Sequence, residues 1–75
     1  MNLSPIPSKK VLDLYYLEAR CQLLEVAAFL DRIDRGDASV VEDDSRLTRL
    51  RAAIKVLNSP QDDPNRAEQL LNLFS

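Results

Sequence analysis

Few side chains in this sequence are of the types that carry out catalysis or bind a metal ion tightly. Cys21 is the only cysteine, and the chain has no histidine. A nucleophilic cysteine needs a lowered pKa, access to solvent and an activating neighbour, and here no imidazole can serve as that neighbour. Since Cys21 also lies within an apolar pattern, we predict that it behaves as a small buried hydrophobic residue. These features predict a protein that is not an enzyme.

Acidic residues are numerous, but their spacing matches neither of two common kinds of metal site. Glu18, Gln22 and Glu25 share one helix face, whereas two-metal sites in helical bundles use Glu-x-x-His pairs, which this sequence lacks. The carboxylates between residues 31 and 44 do not follow the alternating pattern, with its central glycine and final glutamate, of an EF-hand loop. We therefore expect neither a metal ion nor a cofactor.

Basic residues concentrate in one stretch, which is the feature most typical of nucleic-acid binding in this sequence. The basic cluster consists of Arg46, Arg49, Arg51 and Lys55. On a helix, two of these side chains fall on each side of an apolar stripe, so they do not form a single patch. No aromatic residue is interleaved for base stacking, and the net charge of the chain is -2. Binding of nucleic acid through this cluster is therefore the second-ranked functional hypothesis.

Size and composition predict a protein that needs more than its own core to stay folded. A monomer of 8.5 kDa buries only about 60% of the surface of its unfolded chain, and domains this small usually need a cross-link, a metal or a partner. A single cysteine excludes an intramolecular disulfide. No apolar run approaches the roughly 20 residues of a membrane span, and the N-terminal segment does not resemble a signal peptide. We expect an acidic, cytoplasmic protein that does not enter membranes.

Proline and glycine divide the 75-residue chain into three predicted helices, and no alternating apolar pattern predicts a strand. Pro5 and Pro7 predict an extended start, after which Ser8 is placed to cap a long helix. That helix is free of proline and glycine until Gly36, which we predict as the residue that closes it. The fold class is therefore all-α, in one small domain. Its predicted segments are a lead-in over residues 1–8 and helices over residues 9–35, 40/45–57 and 64–74 of a single domain 1–75.

The starts of the two shorter helices have more than one candidate signal. The second helix begins near residue 40 if Ser39 caps it, and near residue 45 if Asp43 or Asp44 does. For the third helix, Asp63 followed by Pro64 predicts an N-cap and a first-turn proline.

The long helix carries two separate rows of apolar residues, each with the alternating spacing of four and three residues that is typical of coiled coils. The first seam consists of Leu12, Tyr16, Ala19, Leu23, Val26, Leu30 and Ile33. The second seam consists of Leu14, Leu17, Cys21, Leu24 and Ala28. At about 100° per residue, the two seams lie roughly 170° apart on the helix, with polar strips between them.

A helix that is apolar on two sides needs a neighbour on each side. The shorter helices carry one apolar stripe each, formed by Leu47, Leu50, Ala53, Ile54 and Leu57 in the second helix and by Ala67, Leu70, Leu71 and Phe74 in the third. Because the connection between these helices is short, we predict that both pack antiparallel on the first seam and leave the second seam for another subunit. The alternative is a monomer in which each short helix covers one seam.

A second copy of the chain is the simplest partner for the second seam, since two-fold dimers are the commonest soluble assemblies. The prediction is thus a dimeric helical bundle with the second seam at its interface. The predicted function is that of a small non-enzymatic protein that self-associates and mediates contacts with itself or with another helical protein through this apolar face. The alternative is a small regulatory protein that contacts nucleic acid through the basic cluster.

Overall fold

A computed structural model describes residues 6–75 of the chain as helices joined by short connections. The helices are α1 (Ser8–Arg35), α2 (Ser45–Asn58) and α3 (Arg66–Leu73), with a 3-10 helix (Ala38–Val41) between α1 and α2. No strand occurs in this described range, so the predicted all-α class is confirmed. The chain divides into two compact units after Gly36. The first unit contains α1. The second unit contains α2 and α3, and these two helices pack against each other.

The N-terminus of α1 differs from the prediction by one residue. The carbonyl oxygen of Pro7 accepts hydrogen bonds from the backbone N–H groups of Lys10 and Val11, at 3.0 and 3.1 Å. Pro7 therefore occupies the cap position and Ser8 is the first helical residue, so the prediction of Ser8 as N-cap is wrong. Of the predicted extended lead-in, the part up to Pro5 lies outside the described residues.

The C-terminus of α1 lies at Arg35, and Gly36 follows it in an extended rather than a left-handed conformation. Gly36 has φ -82° and ψ -166°, and its N–H donates to the carbonyl oxygen of Arg32 at 3.3 Å. The left-handed closure typical of glycine caps is therefore absent at this position. The extended backbone leads directly to Asp37, whose carboxylate accepts a hydrogen bond from the N–H of Ser39 at 3.1 Å and so caps the 3-10 helix.

Asp44 is the N-cap of α2, which settles the choice among the candidate caps. Its carboxylate Oδ1 accepts the backbone N–H of Arg46 at 2.8 Å, and the Arg46 guanidinium donates to the same carboxylate at 2.8 and 3.0 Å. Ser39 lies within the 3-10 helix and does not cap α2. At the other end, Ser59 follows α2, and its hydroxyl donates to the carbonyl oxygen of Lys55 at 2.7 Å.

The start of α3 lies later than Asp63-Pro64, so the prediction that these residues open the helix is wrong. Asn65 occupies the cap position, and its carbonyl oxygen accepts the first helical hydrogen bond from the N–H of Gln69 at 3.1 Å. The amide side chain of Gln69 also donates to Asn65 Oδ1 and to Gln61 Oε1, both at 2.7 Å. These contacts hold the chain at Asn65 and leave Pro64 outside the helix.

Polar contacts also fasten the connection between α2 and α3. The guanidinium of Arg66 donates through Nη2 to the carbonyl oxygen of Ser59 at 2.7 Å, and Gln61 Nε2 donates to the same oxygen at 3.3 Å. Arg66 Nε is buried without a hydrogen-bond partner among the described residues, which reduces the net stabilisation from this side chain. The side of α3 that carries Arg66 and Gln69 is therefore turned towards the connection.

Burial is limited, and it is concentrated in α2 and on one side of α3. Within residues 6–75 the buried apolar side chains are Leu47 and Ala53, with exposed fractions of 6% and 5%. Half-buried apolar side chains around them are Val41, Leu50, Ala52, Val56, Leu70 and Leu73. Of the predicted stripe of α2, Ile54 and Leu57 are exposed instead. The inward side of α2 thus includes Val56, which the sequence pattern did not assign to it.

The predicted stripe of α3 is also wrong in part. Leu70 is half-buried as expected, but Leu71 and Phe74 are exposed, and Leu73 takes an inward position. At about 100° per residue, Leu73 shares a face with Leu70 and Arg66. Because the hydrogen bond from Arg66 to Ser59 turns this face inward, Leu71 and Phe74 point to solvent.

The pH dependence of the α2 cap follows from Asp44. The hydrogen bonds that Arg46 donates, first from its side chain and then from its backbone, lower the pKa of the Asp44 carboxyl from 3.8 to about 2. A lowered carboxyl pKa stabilises the folded state above the unfolded pKa of about 3.9, and this contribution is lost as pH falls towards 2. We expect the carboxyl carbon of Asp44 to titrate in NMR spectra with a midpoint near 2.

Asp44→Asn provides the control for this titration, since an asparagine caps a helix well but does not ionise in this range. In this variant the helicity of α2 should no longer change through Asp44 between pH 4 and pH 2. A midpoint near the ordinary value of 3.8 in the natural chain would show that the contacts with Arg46 do not hold in solution.

The burial of Leu47 in the small core leads to a second prediction about stability. Replacing a buried leucine by alanine removes apolar contacts and leaves a cavity, so Leu47→Ala should lower the free energy of unfolding by about 2 to 5 kcal/mol. Leu57→Ala on the same helix is the matched control, because Leu57 is 48% exposed and should lose about 0.5 kcal/mol or less. Urea denaturation followed by circular dichroism measures both. Equal losses in the two variants would contradict the assignment of Leu47 to the core.

Candidate interaction surface

The second seam is exposed along its whole length in the described chain. Leu17 is the most exposed of its side chains, at 71%, and Leu14 and Leu24 are more than half exposed. Cys21 and Ala28 are exposed as well. The seam spans residues 14–28 of one continuous helix, which corresponds to about 21 Å along its axis. The expectation that Cys21 is buried concerns the assembled protein and stays a prediction.

The first seam is exposed over most of its length too. Leu12, Tyr16 and Leu23 are more than half exposed, whereas Leu30 and Ile33 near the end of α1 are half-buried. Over the 28 residues of Ser8–Arg35, all of which the structure describes, no side chain is buried. α1 therefore presents apolar side chains to solvent on two opposite sides. The packing of α2 and α3 on the first seam stays a prediction.

The second seam continues at both ends into a charged residue, which the sequence analysis did not assign to it. Lys10 lies four residues before Leu14, and Asp31 lies three residues after Ala28, so both extend the alternating spacing of the seam. Both side chains are exposed. The sequence indicates both residues through the continued spacing of the seam. A search for apolar residues alone does not find them.

A second exposed apolar area that the sequence analysis did not identify lies on α3. Ala67, Leu71 and Phe74 are exposed, with Leu71 at 70%. These residues fall on one side of α3, about 80 to 140° around the helix from Arg66. The sequence pattern included them in an inward stripe, and the change of face could be found only from the hydrogen bonds at the α2–α3 connection.

The basic cluster consists of exposed side chains in different electrostatic settings. Arg46 forms an ion pair with Asp44 at 2.8 Å, and this contact raises the pKa of the Arg46 guanidinium above its ordinary value. Arg49, Arg51 and Lys55 are exposed on α2. Arg49 lies on one side of the helix and the other two lie about 120° or more away, so the cluster is divided as expected.

The described residues hold no cluster of side chains that could bind a metal ion. Between residues 6 and 75, cysteine and carboxylate side chains do not gather in threes around a point that could hold a metal ion. A shallow groove between α2 and α3, of about 360 Å³, is lined by Ala52, Val56, Gln69, Asn72 and Leu73. None of the helices between residues 6 and 75 combines the length and the hydrophobicity that a membrane span requires.

Comparison of the chain with protein-family models, with curated proteins and with solved structures finds no match. Exposed apolar side chains lie along both seams of α1 and on α3.

Nucleic-acid binding through the basic cluster stays a prediction with a direct test. Since the net charge is -2 and the cluster is divided between two sides of α2, we expect no saturable binding of a fluorescent duplex, even at low salt. Fluorescence anisotropy measures this. The contrary result is binding that weakens steeply with salt and is lost in Arg49→Gln with Arg51→Gln, but is kept in the control Lys9→Gln with Lys10→Gln.

Proposed function

We propose that this chain is a small non-enzymatic helical protein that self-associates and mediates protein–protein contacts through the second seam of α1. The observation that carries the proposal is the exposure of Leu14, Leu17 and Leu24 on a continuous helix. Contiguous exposed apolar surface on a small protein is typical of interaction sites. Helix-to-helix docking along such a row of residues is a common mode of recognition.

The spacing of the second seam favours another helix as the partner. Residues that alternate at three and four positions form a straight row on a helix, and such a row interlocks with the same kind of row on a second helix. A second copy of α1 supplies that row without any further component. A homodimer of this kind is two-fold symmetric. The same row of residues on each copy then forms both sides of the interface.

The predicted packing of the shorter helices belongs to the same proposal. If α2 and α3 lie antiparallel on the first seam, each subunit covers one side of its long helix and the second copy covers the other. The exposed side chains of Leu71 and Phe74 support this arrangement, because they provide apolar surface that needs a neighbour. The proposed assembly is then a dimeric bundle with the two long helices at its centre.

The proposal predicts the effect of charge on the second seam. Leu17→Arg combined with Leu24→Arg introduces two cations into the proposed interface, where burying an unpaired charge is strongly unfavourable. Sedimentation equilibrium should give twice the 8.5 kDa chain mass for the natural chain. The double variant should shift towards the mass of a single chain.

Gln22→Arg is the control for this experiment, because Gln22 is exposed in the middle of α1 on a polar strip outside both seams. It adds the same kind of side chain to the same helix and should leave the dimer mass unchanged. If the double variant retains the mass and the thermal stability of the natural chain, the second seam is not the interface and the proposal fails.

A further inference from the structure

The two ends of the second seam carry opposite charges. Lys10 continues the seam towards the N-terminus of α1 and Asp31 continues it towards the C-terminus, and both side chains are exposed. They therefore occupy positions that would face a partner lying along the seam. The apolar part of the seam, between Leu14 and Ala28, is thus bounded by a cation at one end and an anion at the other.

Neither end charge is neutralised within the described part of the chain. The ion pairs between residues 6 and 75 join Lys9 to Asp13, at 3.0 Å, and Arg46 to Asp44. Lys10 and Asp31 take part in neither of them. Both charges are therefore available to a partner whose own charges have the matching order.

The direction of a second α1 decides whether these charges attract or repel each other. In a parallel pair, Lys10 faces Lys10 of the other copy and Asp31 faces Asp31, so both ends of the seam bring like charges together. In an antiparallel pair, each Lys10 lies near Asp31 of the other copy, and both ends gain an attraction.

The charged residues on the polar strips beside the seam affect the direction of pairing less than the charges at its ends do. In a parallel pair, Arg20 lies near Glu25 of the other copy, but Asp13 then lies near Glu18, so attraction and repulsion offset each other. In an antiparallel pair, Glu18 lies near Glu25 of the other copy and Arg20 lies near its own counterpart, so the strips by themselves oppose this direction. Pairs at such solvated positions contribute little. Lys10 and Asp31 keep the alternating spacing of the seam, so in a supercoiled pair they lie at the ends of its contact row and nearer to the partner.

The helix dipole favours the same direction. α1 has 28 residues, so its N-terminus carries a partial positive charge and its C-terminus a partial negative charge about 40 Å apart. Antiparallel helices place these opposite ends side by side. We infer that the occupant of the second seam is a second copy of this chain in antiparallel orientation, with Lys10 of each copy beside Asp31 of the other.

This inference rests on the proposed function and specifies the partner and its direction. The first experiment measures the direction by pulsed dipolar EPR. A spin label is attached at Ser8→Cys in a Cys21→Ala background, so that each copy carries one label at the start of α1. Antiparallel copies place the two labels roughly 40 Å apart, whereas parallel copies place them within roughly 20 Å of each other.

A label at Glu18→Cys in the same background is the control. Glu18 lies near the middle of the seam, so its two labels are within roughly 20 Å of each other in either direction. A dimer mass with a long distance from residue 8 and a short distance from residue 18 supports the inference. A short distance from both positions overturns the antiparallel direction and leaves the proposed function intact. A single-chain mass for the natural protein overturns both.

The second experiment exchanges the end charges. Under antiparallel pairing, Lys10→Asp and Asp31→Lys should each raise the dimer dissociation constant about tenfold, because each variant brings like charges together at both ends. The combined exchange, Lys10→Asp with Asp31→Lys, restores opposite charges and should return the constant to within about threefold of the natural value. Analytical ultracentrifugation measures all four proteins.

Parallel pairing gives a different pattern in this set. In a parallel pair, each single variant replaces one pair of like charges by a pair of like charges of the opposite sign. The dissociation constants of the single variants then stay close to the natural value, and the combined exchange has no loss of affinity to restore. Equal dissociation constants across the four proteins, together with a preserved dimer mass, would overturn the inference. Both experiments use the whole chain, so their outcomes do not depend on whether α1 folds alone.

Discussion

An amphipathic helix is held in its folded protein mainly by the apolar surface that it buries against a neighbour, since isolated helices are only marginally stable in water. α1 places this requirement on two opposite sides at once. Over Ser8–Arg35, which the structure describes in full, none of its side chains is buried. A single neighbour can cover one side of a helix only. The apolar surface on two sides of α1 is thus the constraint to which the other features of the chain relate.

The unit that contains α2 and α3 is stabilised by a small apolar core together with hydrogen bonds at the connection between the two helices. Its buried apolar side chains among the described residues are Leu47 and Ala53, which is a small core for two helices. Hydrogen bonds at the connection supplement it, with Arg66 and Gln61 both donating to the carbonyl oxygen of Ser59. These bonds also select which side of α3 faces inward. The apolar surface that remains outside includes Leu71.

The existence of the helices could be predicted from the sequence because proline and glycine act locally, as at Pro7 and Gly36. The ends were less predictable, because several residues near each end offer similar hydrogen bonds. Asp44 was one of several candidate caps, and its bidentate contact with Arg46 distinguishes it only once the backbone is placed. In the same way, Asn65 and not Asp63 occupies the cap position of α3, and its side chain accepts a hydrogen bond from Gln69.

The surface on α1 could be predicted further than the packing around it. The seams follow from the periodicity of a straight helix, so the placement of Leu17 and Leu23 in different seams needs only the spacing of the residues. The exposure of Leu23 does not follow from the spacing, because the first seam was predicted to be covered by α2 and α3. Which neighbour covers each seam depends on contacts between residues far apart in the chain or in different molecules. Periodicity carries no information about these contacts, and the dimer interface accordingly stays a prediction.

The exposure of α1 on both sides has a thermodynamic consequence if another molecule removes one side from water. Part of the stability of the protein then comes from a bimolecular step and grows by mass action. Each tenfold rise in protein concentration shifts such an equilibrium by about 1.4 kcal/mol per association step. Dilution alone would loosen the fold, and the level at which a cell produces the chain would determine how much of it is assembled.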